Sequence, residues 1–318
     1  MAQYSNLRIV FMGTPDFAVA TLSKLVESGY EVACVITAPD RPAGRGRKLQ
    51  GSAVKKYALE NGLKVLQPIN LKDIEFLKEL RLVKANLQIV VAFRMLPKVV
   101  WEMTEYGTFN LHASLLPDYR GAAPINWAII NGETKTGVTT FFIDEKIDTG
   151  EIIFQKEIVI AHDDTAGSLH DRLMTLGAAL VLKTVKEIEN KSVDTKKQPY
   201  GEDLKLAHKI HKKTCEVNWH ASIDHIYNHI RGLSPFPTAW TTLENANEKI
   251  FLKIYSTSKE IENHEHRNGQ IIFNKKEMKV AVKGGFINLL EIQLPGKRKM
   301  ATNDVLNGLN LSNLAYMS

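Results

Sequence analysis

The 318-residue sequence predicts an α/β protein: a Rossmann-like domain with a mostly parallel sheet, followed by a smaller β-barrel domain of OB-like type. Two observations predict it. From residue 7 to about 191, short apolar runs rich in β-branched residues alternate with stretches of helical periodicity, which is typical of a parallel sheet covered on both faces. After residue 204 the apolar runs are short and separated by turn signals, which favours a small antiparallel barrel.

The elements of the first domain follow this alternation along the chain. We predict strands at 7–12, 32–37, 87–93, 108–112, 137–143 and 152–160. Helices are predicted at 17–29, 52–62, 73–80 and 165–190. The first two of these helices end at Gly29 and Gly62, because glycine readily adopts the left-handed conformation of a helix C-cap.

The second domain is separated from the first by a polar segment. This segment contains Pro199 and Gly201 and shows no periodicity, so we predict a linker at 191–206, between a domain at 1–190 and a domain at 207–318. A helical pair is expected around 204–232. It is followed by predicted strands within 238–243, 249–257, 269–274, 278–285 and 286–294.

Composition narrows the class of protein. Hydrophobic residues make up 44% and charged residues 24%, which is ordinary for a globular protein and excludes a disordered chain. The amino terminus lacks a signal-peptide pattern and no long apolar run occurs, so we expect a cytoplasmic protein with no membrane partner. Cys34 and Cys215 are expected to be reduced packing residues. Without a sustained heptad pattern, we expect a monomer.

The stretch NLHASLLP at 110–117 places an amide and an imidazole in an apolar strand. Alternate residues of a strand share a face, so Asn110 and His112 point the same way, and Pro117 ends the strand. This puts both at a carboxyl end, where ligands bind open α/β sheets. The tip of the strand at 137–143 leads into a loop with Asp144 and Asp148. Amide, imidazole and carboxylate together suit acyl or formyl transfer. On these residues alone, a structural role for Asn110 and His112 is an alternative.

The segments 110–133 and 138–153 together resemble the folate-dependent formyltransferases, whose N-x-H, SLLP and downstream D-T-G carry the active site. The opening VFMGTPDFA at 10–18 and the basic stretch at 38–49 resemble the branch of that family that acts on initiator methionyl-tRNA. The resemblance covers nearly the whole chain. It implies formyl transfer from 10-formyltetrahydrofolate, with tetrahydrofolate released, and catalytic roles for Asn110, His112 and Asp148.

The same resemblance implies a folate site. The segment that matches the family's tetrahydrofolate-binding motif consists of Ser114, Leu115, Leu116 and Pro117. A second set of cofactor-binding residues would wall the pterin site: Arg94, Met95 and Leu96. At 92–97 the chain reads AFRMLP, where many tRNA-formylating members have tyrosine and glycine before LP. Arg94 instead resembles the branch that acts on a purine precursor, and a solvated loop charge is its alternative.

Net charge is +6, so the clustering of basic residues decides whether RNA is a partner. By resemblance to the family's insertion loop, the stretch 38–56 is expected to bind tRNA through Arg41, Arg45, Arg47 and Lys48; on composition, a solvated loop is the alternative. A second basic cluster at 205–213 adds Lys209 and Lys212. His225 and His229 are spaced i, i+4 but have no third ligand, so no metal is predicted.

Three other functions are alternatives on the sequence. The same chemistry on a sugar amine or a purine precursor would not need the basic loop at 38–49. A formyl hydrolase is less consistent because no segment resembles a regulatory domain. A non-catalytic RNA-binding protein with a decayed enzyme fold conflicts with the intact Asn110, His112 and Asp148.

Overall fold

The structure is a computed structural model that describes residues 6–43, 48–199, 201 and 203–318. The chain forms two compact units. The first unit comprises Met1–Gly121, Gly137–Ile158 and His170–Leu206. The second unit comprises Ala122–Thr136, Val159–Leu169 and Ala207–Ser318. Two segments from the middle of the chain therefore belong with the C-terminal part.

The secondary structure alternates strand and helix up to residue 189 and is mainly strand after residue 238. In the earlier part the elements are β1 (Arg8–Gly13), α1 (Asp16–Glu27), β2 (Glu31–Ile36), β3 (Arg41–Ala43), β4 (Lys48–Gln50), α2 (Ala53–Glu60), β5 (Val65–Leu66), α3 (Ile74–Leu82), β6 (Leu87–Val91), α4 (Lys98–Trp101), β7 (Thr108–His112), β8 (Arg120–Gly121), α5 (Pro124–Ile130), β9 (Lys135–Phe142), β10 (Ile152–Val159) and α6 (Ala166–Glu189).

The later part begins with two short elements and one helix before the strands of the second sheet. The elements are β11 (Leu206–Ala207), a 3₁₀ turn (Lys212–Cys215), α7 (Ile223–Leu233), β12 (Ala239–Asn245), β13 (Glu248–Ile261), β14 (Ile271–Phe273), β15 (Met278–Val282), β16 (Gly285–Gln293), β17 (Met300–Ala301), α8 (Thr302–Leu306) and β18 (Tyr316–Met317).

The large sheet of the first unit has the strand order β10-β9-β7-β6-β1-β2-β5. Strands β1, β2, β5, β6 and β7 pair in parallel, whereas β9 runs antiparallel to β7. All five residues of β6 are buried, and so are the last five of β1, because a parallel sheet is covered on both faces. The predicted mostly parallel, Rossmann-like sheet is confirmed.

The helix ends of the first unit follow their local sequence signals. Gly29 and Gly62 have φ values of 79° and 67°, as predicted for residues that follow a helix in the left-handed conformation. The side chain of Asp73 accepts a hydrogen bond from the backbone N–H of Phe76 at 2.9 Å and caps α3. Such a cap stabilises a helix by about 1 kcal/mol.

The predicted helical pair around 204–232 is wrong. Within this stretch the described residues form β11, the 3₁₀ turn and a single α-helix, α7. The spacing of three apolar residues resembles the apolar face of a helix: Leu204, Ala207 and Ile210. However, only Ala207 is fully buried. A further difference lies in the predicted basic loop, where β3 and β4 pair as antiparallel strands.

The second sheet has the order β14-β15-β16-β13-β12-β18, and its pairs are antiparallel. Gln270, just before β14, forms a bridge with Tyr316 of β18, so the two edges of the sheet meet and the barrel is nearly closed. This confirms the predicted β-barrel. Ile226 and Ile230 of α7 are buried in the same apolar core as Leu252.

The two cysteines are buried and unpaired. Burial raises the pKa of the Cys34 thiol to about 12, so it is protonated and unreactive at neutral pH. This agrees with the prediction of packing residues. None of the helices in the described part of the chain has the length and apolar composition of a membrane span.

Candidate active site

Strand β7 carries the first two candidate residues. It lies between β6 and β9, with Asn110 opposite Val90 and Phe141, and His112 opposite Thr139. His112 is 6% exposed and Asn110 is half-buried. Because the two residues alternate with Leu111, their side chains lie on the same face of the sheet, as predicted.

The two ring nitrogens of His112 have different partners. Nε2 lies 2.8 Å from the carbonyl oxygen of Tyr119 and must donate to it, since a carbonyl oxygen can only accept. Nδ1 lies 3.8 Å from Oδ2 of Asp148. A neutral imidazole with its proton on Nε2 therefore presents a lone pair to a carboxylate.

Asn110 has a buried amide oxygen that forms no hydrogen bond within the described chain. Leaving a buried acceptor without a partner costs about 1–3 kcal/mol, so such a group is usually explained by a ligand or a catalytic role. His112 forms a structural hydrogen bond to Tyr119 through one ring nitrogen and also faces the carboxylate of Asp148 with the other.

Asp148 reaches His112 by a different route from the one the sequence suggested. We expected it at a strand tip next to the carboxyl end of β7. However, Phe142 at the end of β9 lies opposite Phe109, near the start of β7. The loop 143–151 therefore begins beside the amino end of β7, and the loop itself brings Asp148 back to His112. An antiparallel neighbour is the physical reason, since its ends are reversed.

Internal hydrogen bonds give this loop its shape. The backbone N–H of Phe142 donates to the carbonyl of Glu151 at 3.0 Å and closes the base. The carboxylate of Asp144 accepts from the hydroxyl of Thr149 at 2.7 Å, so Asp144 serves the loop. Asp148 has a φ of 55° and accepts from the backbone N–H of Gly121 at 2.9 Å. Of the two acidic residues, only Asp148 faces the imidazole.

The segment Ser114–Pro117 is largely occupied by the fold. Ser114 is fully buried and its hydroxyl donates to the carbonyl of Asp118 at 2.7 Å. Leu116 is 3% exposed, and its carbonyl accepts from the side chain of Gln155 at 2.8 Å. Leu115 and Pro117 are half-buried, so these two retain surface with which a ligand could be in contact.

A cavity of about 680 Å³ in the first unit contains the other three candidate folate residues. Its lining consists of Ile69, Asn70, Leu71, Lys72, Arg94, Met95, Leu96, Pro97, Lys98 and Val99. Met95 is 74% exposed while Leu96 is 7% exposed. The lining combines apolar side chains with basic ones, which suits a ligand with a flat ring and an anionic end. Ser114–Pro117 is not part of this lining.

Arg94 is exposed, and its side chain forms hydrogen bonds to the backbone of another loop. Its guanidinium donates to the carbonyl oxygen of Ile69 at 2.7 Å and to that of Pro68, and so ties two loops together at the cavity. Partial burial and, next, the charge of Arg41 lower the pKa of Arg94. Arg41 is exposed at the start of β3, so one of the predicted RNA contacts adds its positive charge to that of the cavity wall.

The remaining predicted RNA contacts belong to both units of the chain. Arg45 and Arg47 lie outside the described residues, and Lys48 begins β4. Lys209 and Lys212 are exposed and belong to the second unit. The ammonium of Lys212 lies 5.8 Å from the ring centroid of Trp240, within range of a cation–π contact.

In the histidine pair of α7, His225 is exposed and His229 is half-buried. The rings of His225 and His229 stack with centroids 6.3 Å apart. Burial, followed by the neighbouring His225, lowers the pKa of His229 to about 4, so that ring is neutral at physiological pH. Among the residues that the structure describes, no group of three or more potential ligands could hold a metal ion.

Some residues of the site gave no signal in the sequence. The carbonyl of Tyr119 and the N–H of Gly121 act through the backbone, which any residue type supplies. Gln198 was included in the predicted linker, yet it is 5% exposed and bonded to the loop that carries Asp148. A polar residue in a polar segment carries no signature of burial, so only the structure could identify it.

Comparison with known proteins adds information on the two halves of the chain. A family model described as formyl transferase matches residues 7–185. A second model, described as the formyl transferase C-terminal domain, matches residues 209–310. Together they cover most of the sequence, in the order in which they occur here.

Curated relatives match over nearly the full length. A methionyl-tRNA formyltransferase of Flavobacterium johnsoniae is 59% identical over 98% of this chain and 98% of its own length. Another from Bacteroides thetaiotaomicron is 53% identical over 96% of this chain and 97% of its own.

Solved structures share the fold at low identity. An N-formyltransferase from Helicobacter canadensis, in complex with folinic acid and dTDP-3-aminofucose, has a TM-score of 0.66 at 23% identity and covers 92% of this chain and 100% of its own. HypX from Aquifex aeolicus, in complex with tetrahydrofolic acid, has a TM-score of 0.65 at 16% identity and covers 95% of this chain and 47% of its own.

Proposed function

The chain belongs to the formyl transferase family, and on this basis we propose that it formylates the α-amino group of methionine esterified to initiator tRNA. The formyl donor is 10-formyltetrahydrofolate, and the products are N-formylmethionyl-tRNA and tetrahydrofolate. Relatives of 53–59% identity that bear this activity in their names support the proposal. Because an aminoacylated tRNA is the substrate, we place the reaction in the cytoplasm.

The observation that carries the proposal is the grouping of three side chains in the first unit. Asn110 and His112 share one face of β7, and Nδ1 of His112 lies 3.8 Å from Oδ2 of Asp148. The unpartnered amide oxygen of Asn110 is buried at the same place on the strand. An amide, an imidazole and a carboxylate in this arrangement supply both oxyanion stabilisation and proton transfer.

Each residue has a role in the proposed reaction. The methionine nitrogen attacks the formyl carbon, a new N–C bond forms, and the bond from that carbon to the folate N10 breaks. Nδ2 of Asn110 donates to the formyl oxygen as it gains negative charge, and Nδ1 of His112 takes the proton that the attacking nitrogen loses. The attacking nitrogen loses a proton and N10 gains one. The His112–Asp148 pair holds this proton in between, because the imidazolium then faces a carboxylate.

The folate donor is proposed to bind at the cavity lined by Arg94, Met95 and Leu96. The apolar side chains would pack against the pterin and benzoyl rings, and Lys72 would face the glutamate carboxylates. The hydrogen bonds from Arg94 to the carbonyls of Pro68 and Ile69 would keep the cavity open before the donor arrives. Leu115 and Pro117 would add contacts from the segment after β7, where they remain partly accessible.

The function is tested with the two proposed substrates together. The chain is incubated with 10-formyltetrahydrofolate and initiator methionyl-tRNA, and the methionine released from the tRNA is analysed by mass spectrometry. We expect N-formylmethionine. Uncharged tRNA and a nucleotide-linked amino sugar are control acceptors, and neither should be formylated. Formylation of the amino sugar alone, or binding of tRNA without turnover, would contradict the proposal.

Basic side chains of the second unit are proposed to bind the tRNA backbone. Lys209 and Lys212 are exposed, and among the described residues neither forms an ion pair. We expect Lys209→Glu and Lys212→Glu to raise the KM for methionyl-tRNA several-fold with little change in kcat. Each should also reduce the slope of log KM against log salt by about 1, since one phosphate contact is lost.

A matched control is available in the same unit. Lys276 is exposed in the turn between β14 and β15, so Lys276→Glu makes the same change in charge at another place on the barrel. We expect it to leave the KM nearly unchanged. Equal effects of the three substitutions would mean that net charge, and not a local contact, determines the affinity.

A further inference from the structure

Gln198 connects the segment after α6 to the loop that carries Asp148. Its Nε2 donates to the carbonyl oxygen of Asp148 at 3.0 Å and to that of Gly150 at 2.7 Å. Its Oε1 accepts from Nε and Nη2 of Arg120 at 3.1 and 2.6 Å. A side-chain amide can form four such bonds, so its capacity is fully used.

The position of Gln198 is fixed by its neighbours along the chain. Lys196 and Ile152 form an antiparallel bridge, with N–H to carbonyl distances of 2.8 and 2.9 Å in the two directions. This bridge places the segment beside the start of β10, directly after the Asp148 loop. Gln198 is 5% exposed, so its hydrogen bonds are shielded from water and are stronger than those at a surface.

The loop needs such support because Asp148 is in an unfavourable conformation. Its φ of 55° lies in the left-handed region, which costs roughly 1–2 kcal/mol for a residue with a side chain. In this conformation the carboxylate accepts from the N–H of Gly121, which directly follows Arg120. Arg120 therefore lies next to the backbone N–H that donates to the Asp148 carboxylate, and Gln198 is bonded to the backbone of Asp148 itself. The hydrogen bonds between Arg120 and Gln198 connect these two backbone segments.

We propose that Gln198, fixed by Arg120, is a positioning residue that sets the place of the Asp148 carboxylate relative to His112. The inference rests on the proposed function for its catalytic consequence. Its structural part, the control of the His112–Asp148 distance, holds for any reaction at this site. A shift of about 1 Å in a catalytic group can lower a rate about a hundredfold.

The test substitutes Gln198 by methionine, which has a similar length and volume but forms no equivalent hydrogen bonds. We expect Gln198→Met to lower kcat by about 10²-fold while the KM for methionyl-tRNA changes little, since no substrate contact is lost. Gln198→Glu is a second variant, because it keeps the contact with Arg120 but loses both donors. Thermal unfolding shows whether each variant is folded at the assay temperature.

A double-mutant cycle separates positioning from a general loss of structure. If Gln198 acts through Asp148, Gln198→Met should add little to the residual rate of Asp148→Asn. Full additivity of the two effects would overturn the proposal, and so would a wild-type kcat in both Gln198 variants. Gln293→Met is the control, because Gln293 also uses both ends of its amide, bonding Lys297 and Tyr255 in the second unit.

A second measurement does not depend on the substrate. The NMR chemical shifts of the His112 imidazole are followed at one pH in the full chain, for the wild type and for the variants. We expect Gln198→Met to move these signals and Gln293→Met to leave them in place. If the chain formylated another acceptor, the signals would still report the geometry of the pair. Unchanged signals in both Gln198 variants would overturn the inference whatever the substrate.

Discussion

Replacement of His112 by alanine is expected to lower kcat by about 10³-fold, with the KM for methionyl-tRNA changed little. The ring holds the proton between the attacking nitrogen and N10, so its removal eliminates an interaction that forms only along the reaction. Asp148→Asn should produce a loss of similar size, since an amide cannot balance the charge of an imidazolium. Steady-state and single-turnover formylation assays measure both variants.

Asn110 is proposed to stabilise the oxyanion and takes no part in the proton transfer, so its substitution has a separate expected effect. Asn110→Ala is expected to lower kcat about 10²-fold, as is typical for the loss of one oxyanion donor. Asn110→Asp should be worse, since it faces the developing charge with a carboxylate. His162→Ala is the control, because the side chain of His162 is 95% exposed and belongs to the second unit. Near-normal turnover in a variant would remove that residue from the mechanism.

Much of the site could be predicted because its residues have a chemical signature. Asn110 and His112 interrupt an apolar strand, and polar side chains on one face of a buried strand indicate a ligand. The sequence does not specify which neighbour of β7 is antiparallel. That single reversal moves the start of the Asp148 loop from one end of the strand to the other. Residue type and strand length are local properties, whereas pairing direction depends on the whole sheet.

In the second unit, too, the sequence predicted the local elements but not which segments pack together. Strands β12 to β16 were predicted from alternation and turn residues and lie where expected, whereas β17 and β18 were not predicted. The membership of Ala122–Thr136 and Val159–Leu169 in this unit could not be read from the sequence. The first of these segments packs Ile130 into the barrel core, and an apolar residue does not specify which core it joins.

Replacement of Gly150 by alanine is expected to abolish most of the activity without touching a reacting group. A Cβ at this position would lie 1.7 Å from the carbonyl oxygen of Phe142 and 2.9 Å from its carbonyl carbon, so backbone must move. Phe142 and Glu151 close the base of the loop. If the base opens, Asp148, two residues away, cannot stay beside His112. We expect kcat to fall by 10²-fold or more, since about 1 Å of displacement suffices for that loss.

A second glycine of the same unit provides the control. A Cβ at Gly201 would meet no atom within 4 Å, so Gly201→Ala should leave kcat and the unfolding temperature nearly unchanged. For Gly150→Ala, the free energy of unfolding should fall by about 1–3 kcal/mol, because an overpacked site must shift its backbone. Full activity of Gly150→Ala would mean that the loop can move without displacing Asp148. The close approach of Gly150 to Phe142 would then contribute to folding alone, and the position of the carboxylate would have to depend on Gly121 and Gln198.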